Sequence, residues 1–270
     1  MKPETRAYLF IHISVLLWGV TAILGKLISY NEYILVWIRM GLVTLSLLLF
    51  KRTYAGLKTI KKADAAKIGM TGILVGIHWV FFYGAIKYSN VSITLSILAT
   101  ISLMTSFIEP LVTKSKFLWY ESLLGFMVIP GIYLIFFYTS ADNLVGMIMA
   151  FLAAFFAALF TSLNKKYVNF TNPISFSFIQ ITTGFVFLTI WLPLYIYNFP
   201  DSWYIGSEMD FVYLGILAFF CTTIPFILAL VSLRHLNAFT TNLITNLEPV
   251  YGIILAWLIF KENQDMDVRF

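Results

Sequence analysis

Nine long apolar stretches fill most of this 270-residue chain, and that leaves few folds open to it. They run over Tyr8–Ile28, Tyr33–Phe50, Ala66–Ile86, Val91–Val112, Phe117–Tyr138, Leu144–Leu163, Ile174–Tyr195, Phe211–Leu233 and Ala238–Phe260. Each has roughly the 17–25 residues that a helix needs to cross a bilayer. They are apolar nearly all round, whereas a helix on a soluble globule keeps one polar face. With 60% hydrophobic and 11% charged residues, and a mean hydropathy of +0.87, the chain could not coat a soluble core. The sequence therefore predicts an all-α polytopic membrane protein with nine spans, numbered here 1–9.

The basic residues orient it. Lys2 and Arg6 precede span 1, and Lys51, Arg52, Lys58, Lys61, Lys62 and Lys67 follow span 2. Lys114, Lys116, Lys165, Lys166 and Arg234 fall in later gaps on the same side, while the opposite side holds Lys87, Lys261 and Arg269. By the positive-inside rule the N-terminus is cytoplasmic. The net charge of +5 thus reflects topology, and no basic soluble face exists for nucleic acid. The run 58–62 reads as a solvated cytoplasmic loop, with contact to anionic lipid as the alternative. Cys221, the single cysteine, lies within span 8, so no intrachain disulfide forms. Abundant Phe, Ile, Lys and Asn hint at an AT-rich bacterial genome, hence a bacterial cytoplasmic (inner) membrane.

The chain divides near Thr139–Asn143, giving units 1–140 (spans 1–5) and 141–270 (spans 6–9). A gapless shift of 146 residues pairs Gly69 with Gly215 and Thr94 with Thr240, at near-chance identity. Charge is more telling: the loop after span 2 is strongly basic, whereas its counterpart 198–210 carries Asp201, Glu208 and Asp210 and no base. Two units of odd span number lie inverted, an arrangement that secondary transporters use to rock one half against the other. The second unit lacks a fifth span, and the ten residues after Phe260 cannot supply it. The expectation is a chain ending just short of a tenth helix, with a genuine nine-helix protein as the alternative.

Motifs in the same order and spacing give the chain a family likeness. Trp18-Gly19, Lys26 and Arg39 open it; Gly125 and Pro130-Gly131 follow in span 5; Asn246-Leu247-Glu248-Pro249-Val250 leads to Phe260-Lys261-Glu262-Asn263. In these the chain resembles the EamA-type permeases of the drug/metabolite transporter superfamily. In span 4 the resemblance departs, with Leu103 where a first repeat often has proline. The resemblance implies inverted five-helix repeats (5+5), a central cavity for a small metabolite, and no nucleotide-binding domain or cofactor.

Ionisable residues at membrane depth are costly and normally face protein or water. Glu248, in mid-span 9, shares a helical arc with Thr241, Asn242, Thr245, Asn246 and Pro249, a polar stripe suited to a cavity wall. It is placed to bind a substrate ammonium or to exchange a proton; a structural carboxylate beside a Pro249 kink is the bland alternative. Arg39 and Lys26 are expected near the outer mouth, where cations attract a carboxylate or simply snorkel. His78 lies opposite the stripe Gly69, Gly72, Gly76, which reads as close helix contact; His78 either relays protons or bonds a neighbouring helix. Glu109 is expected to pair at the interface beside Lys114. Ser96 and Thr100 on span 4 and Gln180 on span 7 are further path candidates, and Trp18 and Trp79 suit stacking against cargo.

These features predict a transporter that moves a small organic metabolite, an amino acid or similar amphiphile, outward by alternating access. Its partners are that solute, the bilayer and, in keeping with such bundles, a second copy as homodimer. A channel or lipid scramblase is the alternative; an intramembrane enzyme ranks last. No HExxH, GxSxG or phosphate-cradling loop is present, and His12, His78 and His235 sit on different spans, so neither a metal nor a catalytic residue is expected.

Overall fold

The computed structural model describes residues 2–138 and 141–260. Every one of the nine apolar stretches is helical, and among the described residues there is no strand. Lys261, Glu262, Asn263 and Arg269 lie outside the described residues.

In chain order the helices are α1 (Pro3–Gly19), α2 (Thr21–Leu27), α3 (Glu32–Leu48), α4 (Lys51–Thr59), α5 (Lys62–Tyr88), α6 (Val91–Leu98), α7 (Ile101–Thr113), α8 (Trp119–Phe126), α9 (Ile129–Tyr138), α10 (Leu144–Tyr167), α11 (Pro173–Asn198), α12 (Glu208–Ala218), α13 (Ile224–Leu233), α14 (Ala238–Thr245) and α15 (Leu247–Phe260). A π turn, Phe219–Thr223, joins α12 to α13. Six continuous or gently broken rods are long and apolar enough to cross a membrane: 3–27, 62–88, 91–113, 144–167, 173–198 and 208–233. Helix α3 passes only together with α4, which turns away from it by 89°. The remaining two stretches, spans 5 and 9, are each split into shorter helices, α8 with α9 and α14 with α15.

Local sequence sets the helix starts. Asn31, Asn90, Asn172 and Asn237 each accept a backbone N–H of the first turn of α3, α6, α11 and α14. Ser207 and Asp210 form a reciprocal capping box on α12. The stretch 51–59, read from sequence as a loop, is a helix: it has no Gly–Pro breaker, and its Thr53 hydroxyl donates to the Leu47 carbonyl at 2.6 Å across the bend.

The core lies between the two halves of the chain. Helix α5 packs against α10 and α11, α1 against α13 and α15, and α7 against α10 and α14. Alanines 150, 153, 154, 157 and 158 give α10 a buried small-residue face. The α5–α11 contact needs glycine: a Cβ on Gly72 would lie 1.8 Å from the Gln180 carbonyl oxygen, and one on Gly184 would lie 2.5 Å from that of Gly72. The glycine stripe of span 3 is thus helix contact.

Candidate functional site

Three helix interruptions line one cavity of about 90 Å³, and a fourth lies behind its wall. Trp18 and Thr21 flank the break at Val20; Leu98 and Ile101 flank the one at Ala99–Thr100; Thr245 and Glu248 flank the one at Asn246. The fourth is the π turn, whose Thr222 hydroxyl bonds the cavity residue Arg39. Interrupted helices expose backbone and polar side chains in mid-membrane, which is tolerated where they line a cavity.

Arg39 comes from the middle of α3 and is 2% exposed. Its Nε donates to Thr222 Oγ1 at 2.8 Å and its Nη1 to the Tyr83 hydroxyl at 2.6 Å. Its guanidinium carbon lies 4.0 Å from the centre of the Trp79 ring. Two neutral hydroxyls and an aromatic face therefore hold a cation that would otherwise be expensive at this depth. The π turn is what brings Thr222 there. Pro225 has no N–H for the carbonyl four residues back, and the helix ladder widens over 219–223. The Thr222 and Thr223 hydroxyls then donate to the Leu217 and Ala218 carbonyls. Ser46 of α3 also shares a hydrogen bond with Thr223 at 2.8 Å, so α3 is clasped to the turn at two points.

Glu248, the second residue of α15, lines the same cavity and is 7% exposed. Among the described residues it has no hydrogen-bond partner, and no nitrogen of Arg39 comes within the 4.0 Å of an ion pair. The break before it is braced from α7, with Asn246 Nδ2 donating to Ser102 Oγ at 2.8 Å and Asn242 Nδ2 to Thr105 Oγ1 at 2.7 Å. One buried cation and one buried carboxylate thus face a single small cavity with no direct ion pair between them among the described residues.

The walls are aromatic. Phe226 packs edge-on against both Trp18 (6.1 Å) and Trp79 (5.3 Å), with Phe82 and Phe160 beyond. His78 borders the cavity with its Nδ1 2.8 Å from the Ala153 carbonyl. A carbonyl can only accept, so Nδ1 carries a proton, and in the neutral ring Nε2 is then the acceptor.

Of the residues singled out in the sequence, Glu248, Asn242, Thr245, Arg39, His78, Trp18 and Trp79 line the cavity. Asn246 is spent on Ser102, and Thr100 on the Ile97 carbonyl. Ser96 is half-buried on α6, off the lining. Gln180 is fully buried behind the wall, its Nε2 bonding Thr71 and the lining residue Asn164, each at 2.8 Å. Lys26 is exposed at the end of α2, whereas Arg39 is enclosed, so the two cations do not share a mouth. Glu109 does not pair at an interface with Lys114. It is buried, and its carboxylate accepts the Ala238 and Phe239 N–H groups at 2.9 and 2.7 Å, the free donors of the α14 N-terminus.

Thr21, Thr161, Asn164 and Phe226 were not singled out in the sequence, yet they line the cavity. Asn164 sits beside Lys165-Lys166 and reads as interfacial, and Phe226 is one of 26 phenylalanines. Among the described residues no three His, Cys, Asp or Glu side chains gather as metal ligands.

The chain matches the EamA-like transporter family twice, over residues 5–137 and 144–266. It belongs to that family. The EamA-like family comprises transporters of small molecules, and this chain is accordingly an integral membrane protein of all-helical fold. A solved structure titled only as the crystal structure of a protein has the same fold: TM-score 0.69 at 13% identity, covering 94% of this chain and 88% of that one. No curated protein matches.

Proposed function

We propose that this EamA-like protein exports a small zwitterion, an amino acid or close analogue, across a bacterial inner membrane by alternating access. The observation that carries the proposal is the placement of Arg39 and Glu248 on one cavity with no direct ion pair between them among the described residues. The free Nη2 of Arg39 suits a carboxylate, Glu248 suits an ammonium, and Trp18, Trp79 and Phe226 suit an apolar side chain. Burial is costly for both groups when charged, and a zwitterion offsets the two costs at once.

A cavity of about 90 Å³ is smaller than the ~150 Å³ engineered cavity that admits benzene. Larger solutes of this class require the walls to part. The two units, 1–140 and 141–270, are the bodies that would do so, because the cavity is lined from both. The distribution of basic residues among the gaps supports a cytoplasmic N-terminus.

Glu248 also gives a route to coupling. A lone carboxylate at this depth is relieved by a substrate ammonium or by a proton, and the two compete for it. Release of cargo on one side would then coincide with proton uptake there. His78, with Nε2 as acceptor, is the second group on this route.

The test is export from cells. Bacteria expressing the chain should enrich a small zwitterion in the medium, and Glu248→Ala, present at equal level in the membrane, should not. Enrichment that is the same for both proteins would overturn the assignment.

A further inference from the structure

The five unpaired cations around α4 find no use in transport. Lys51, Arg52 and Lys58 on α4, with Lys61 and Lys62 just beyond it, are all exposed and make no ion pair among the described residues. The one nearby acid, Asp64, is taken by Lys67 at 2.9 Å.

The helix has three faces. At 100° per residue, Thr53 and Gly56 fall on one arc and are buried. Tyr54 and Leu57 fall on the next and are exposed, beside Leu49 at 83% exposure just before the helix. Lys51, Arg52, Ala55 and Lys58 fill the third.

The buried face is docked rigidly. Ser175 Oγ lies 2.9 Å from both the Arg52 and Thr53 carbonyls, and Asn172 Nδ2 donates to the Arg52 carbonyl at 3.0 Å. A Cβ on Gly56 would come 2.2 Å from Ser175 Oγ, so the helix rests directly on the N-terminus of α11. Helix α4 stands at 89° to α3, so with α3 crossing the bilayer the axis of α4 runs in the membrane plane. An apolar strip beside a basic strip, fixed in that plane, is the arrangement of an interfacial amphipathic helix. Lys51 and Arg52 also sit at its N-terminus, which has no side-chain cap and so leaves N–H groups for an anion.

We propose that α4 is a preformed docking surface for the anionic phospholipid headgroups of the leaflet on the basic side, with Tyr54 and Leu57 inserted beneath them. The proposal does not depend on the cargo.

The test uses the full chain in nanodiscs of phosphatidylcholine with and without phosphatidylglycerol. A fluorophore at Leu57→Cys should be quenched by nitroxide carried on the lipid near the headgroup, and one at Ala55→Cys by aqueous iodide. Cys221 is buried and out of reach of the label. In native mass spectrometry, Lys51→Gln/Arg52→Gln/Lys58→Gln should hold phosphatidylglycerol roughly fivefold more weakly for each charge removed. Lys114→Gln/Lys116→Gln, on the same side but off α4, should retain it. Equal loss in both variants, or iodide quenching at Leu57→Cys, would overturn the proposal. The Leu57→Cys measurement keeps every charge and decides the matter even if the triple variant fails to fold.

Discussion

Replacing Arg39 by lysine keeps the charge and tests the geometry. The guanidinium commits Nε to Thr222 on the π turn and Nη1 to Tyr83 on α5, which leaves Nη2 for the cavity. A lysine has its three donors on one nitrogen. If that nitrogen meets Thr222 and Tyr83, its third N–H is not aimed at cargo; if it meets cargo, a hydroxyl behind it loses its donor. Either way one charge-assisted hydrogen bond is forfeited, worth about 1.5–3 kcal/mol. For a carboxylate-bearing solute this is roughly a tenfold to hundredfold loss of affinity. An amide analogue that keeps the ammonium but lacks the carboxylate should bind wild type and Arg39→Lys alike. The assay is a binding titration of one amino acid and its amide against both proteins in detergent. Equal losses for the two ligands, or unchanged affinity for both, would refute the assignment of Arg39 to the carboxylate.

Two further expectations concern the scaffold. Gly72→Ala places a methyl against the backbone oxygen of Gln180, which cannot swing aside, so α5 and α11 must separate. Its cost should reach or exceed the ~1–3 kcal/mol of an overpacked core and appear as a lower thermal midpoint, while Gly215→Ala, with open space at its Cβ, should lose nothing. Glu109→Ala strips the Ala238 and Phe239 N–H groups of their acceptors, at about 1–3 kcal/mol for each buried donor. Hydrogen exchange over 238–242 should accelerate, and Glu109→Gln, which retains one acceptor oxygen, should lie between Glu109→Ala and wild type.

Much of this molecule was legible in its sequence because the bilayer simplifies the code. With no water at depth, a long apolar run favours helix, so the apolar stretches were recognised as helical, although five of them are split and α4 was read as a loop. The cavity was partly legible for the same reason: Glu248 and Arg39 are conspicuous where charge is expensive. What escaped was long-range partnership. Glu109 looked like an interfacial acid because sequence shows Lys114 nearby but not the N-terminus of α14, 129 residues away. Gln180 looked like a path residue, yet it serves the wall through Asn164 and Thr71. The π turn has a signal, Thr222-Thr223 ahead of Pro225, that is common in membrane helices and acquires meaning only once Arg39 is seen against it. The three-faced character of α4 was hidden by its charge, which masks the apolar strip of Tyr54 and Leu57 in any averaged hydropathy.

The most direct test of the central claim is counterflow in proteoliposomes preloaded with one amino acid. The account predicts that an external zwitterion drives exchange, whereas its amide and its N-acetyl derivative, each lacking one of the two charges, do not. Exchange driven as well by either singly charged analogue would contradict the claim that Arg39 and Glu248 read both ends of one cargo.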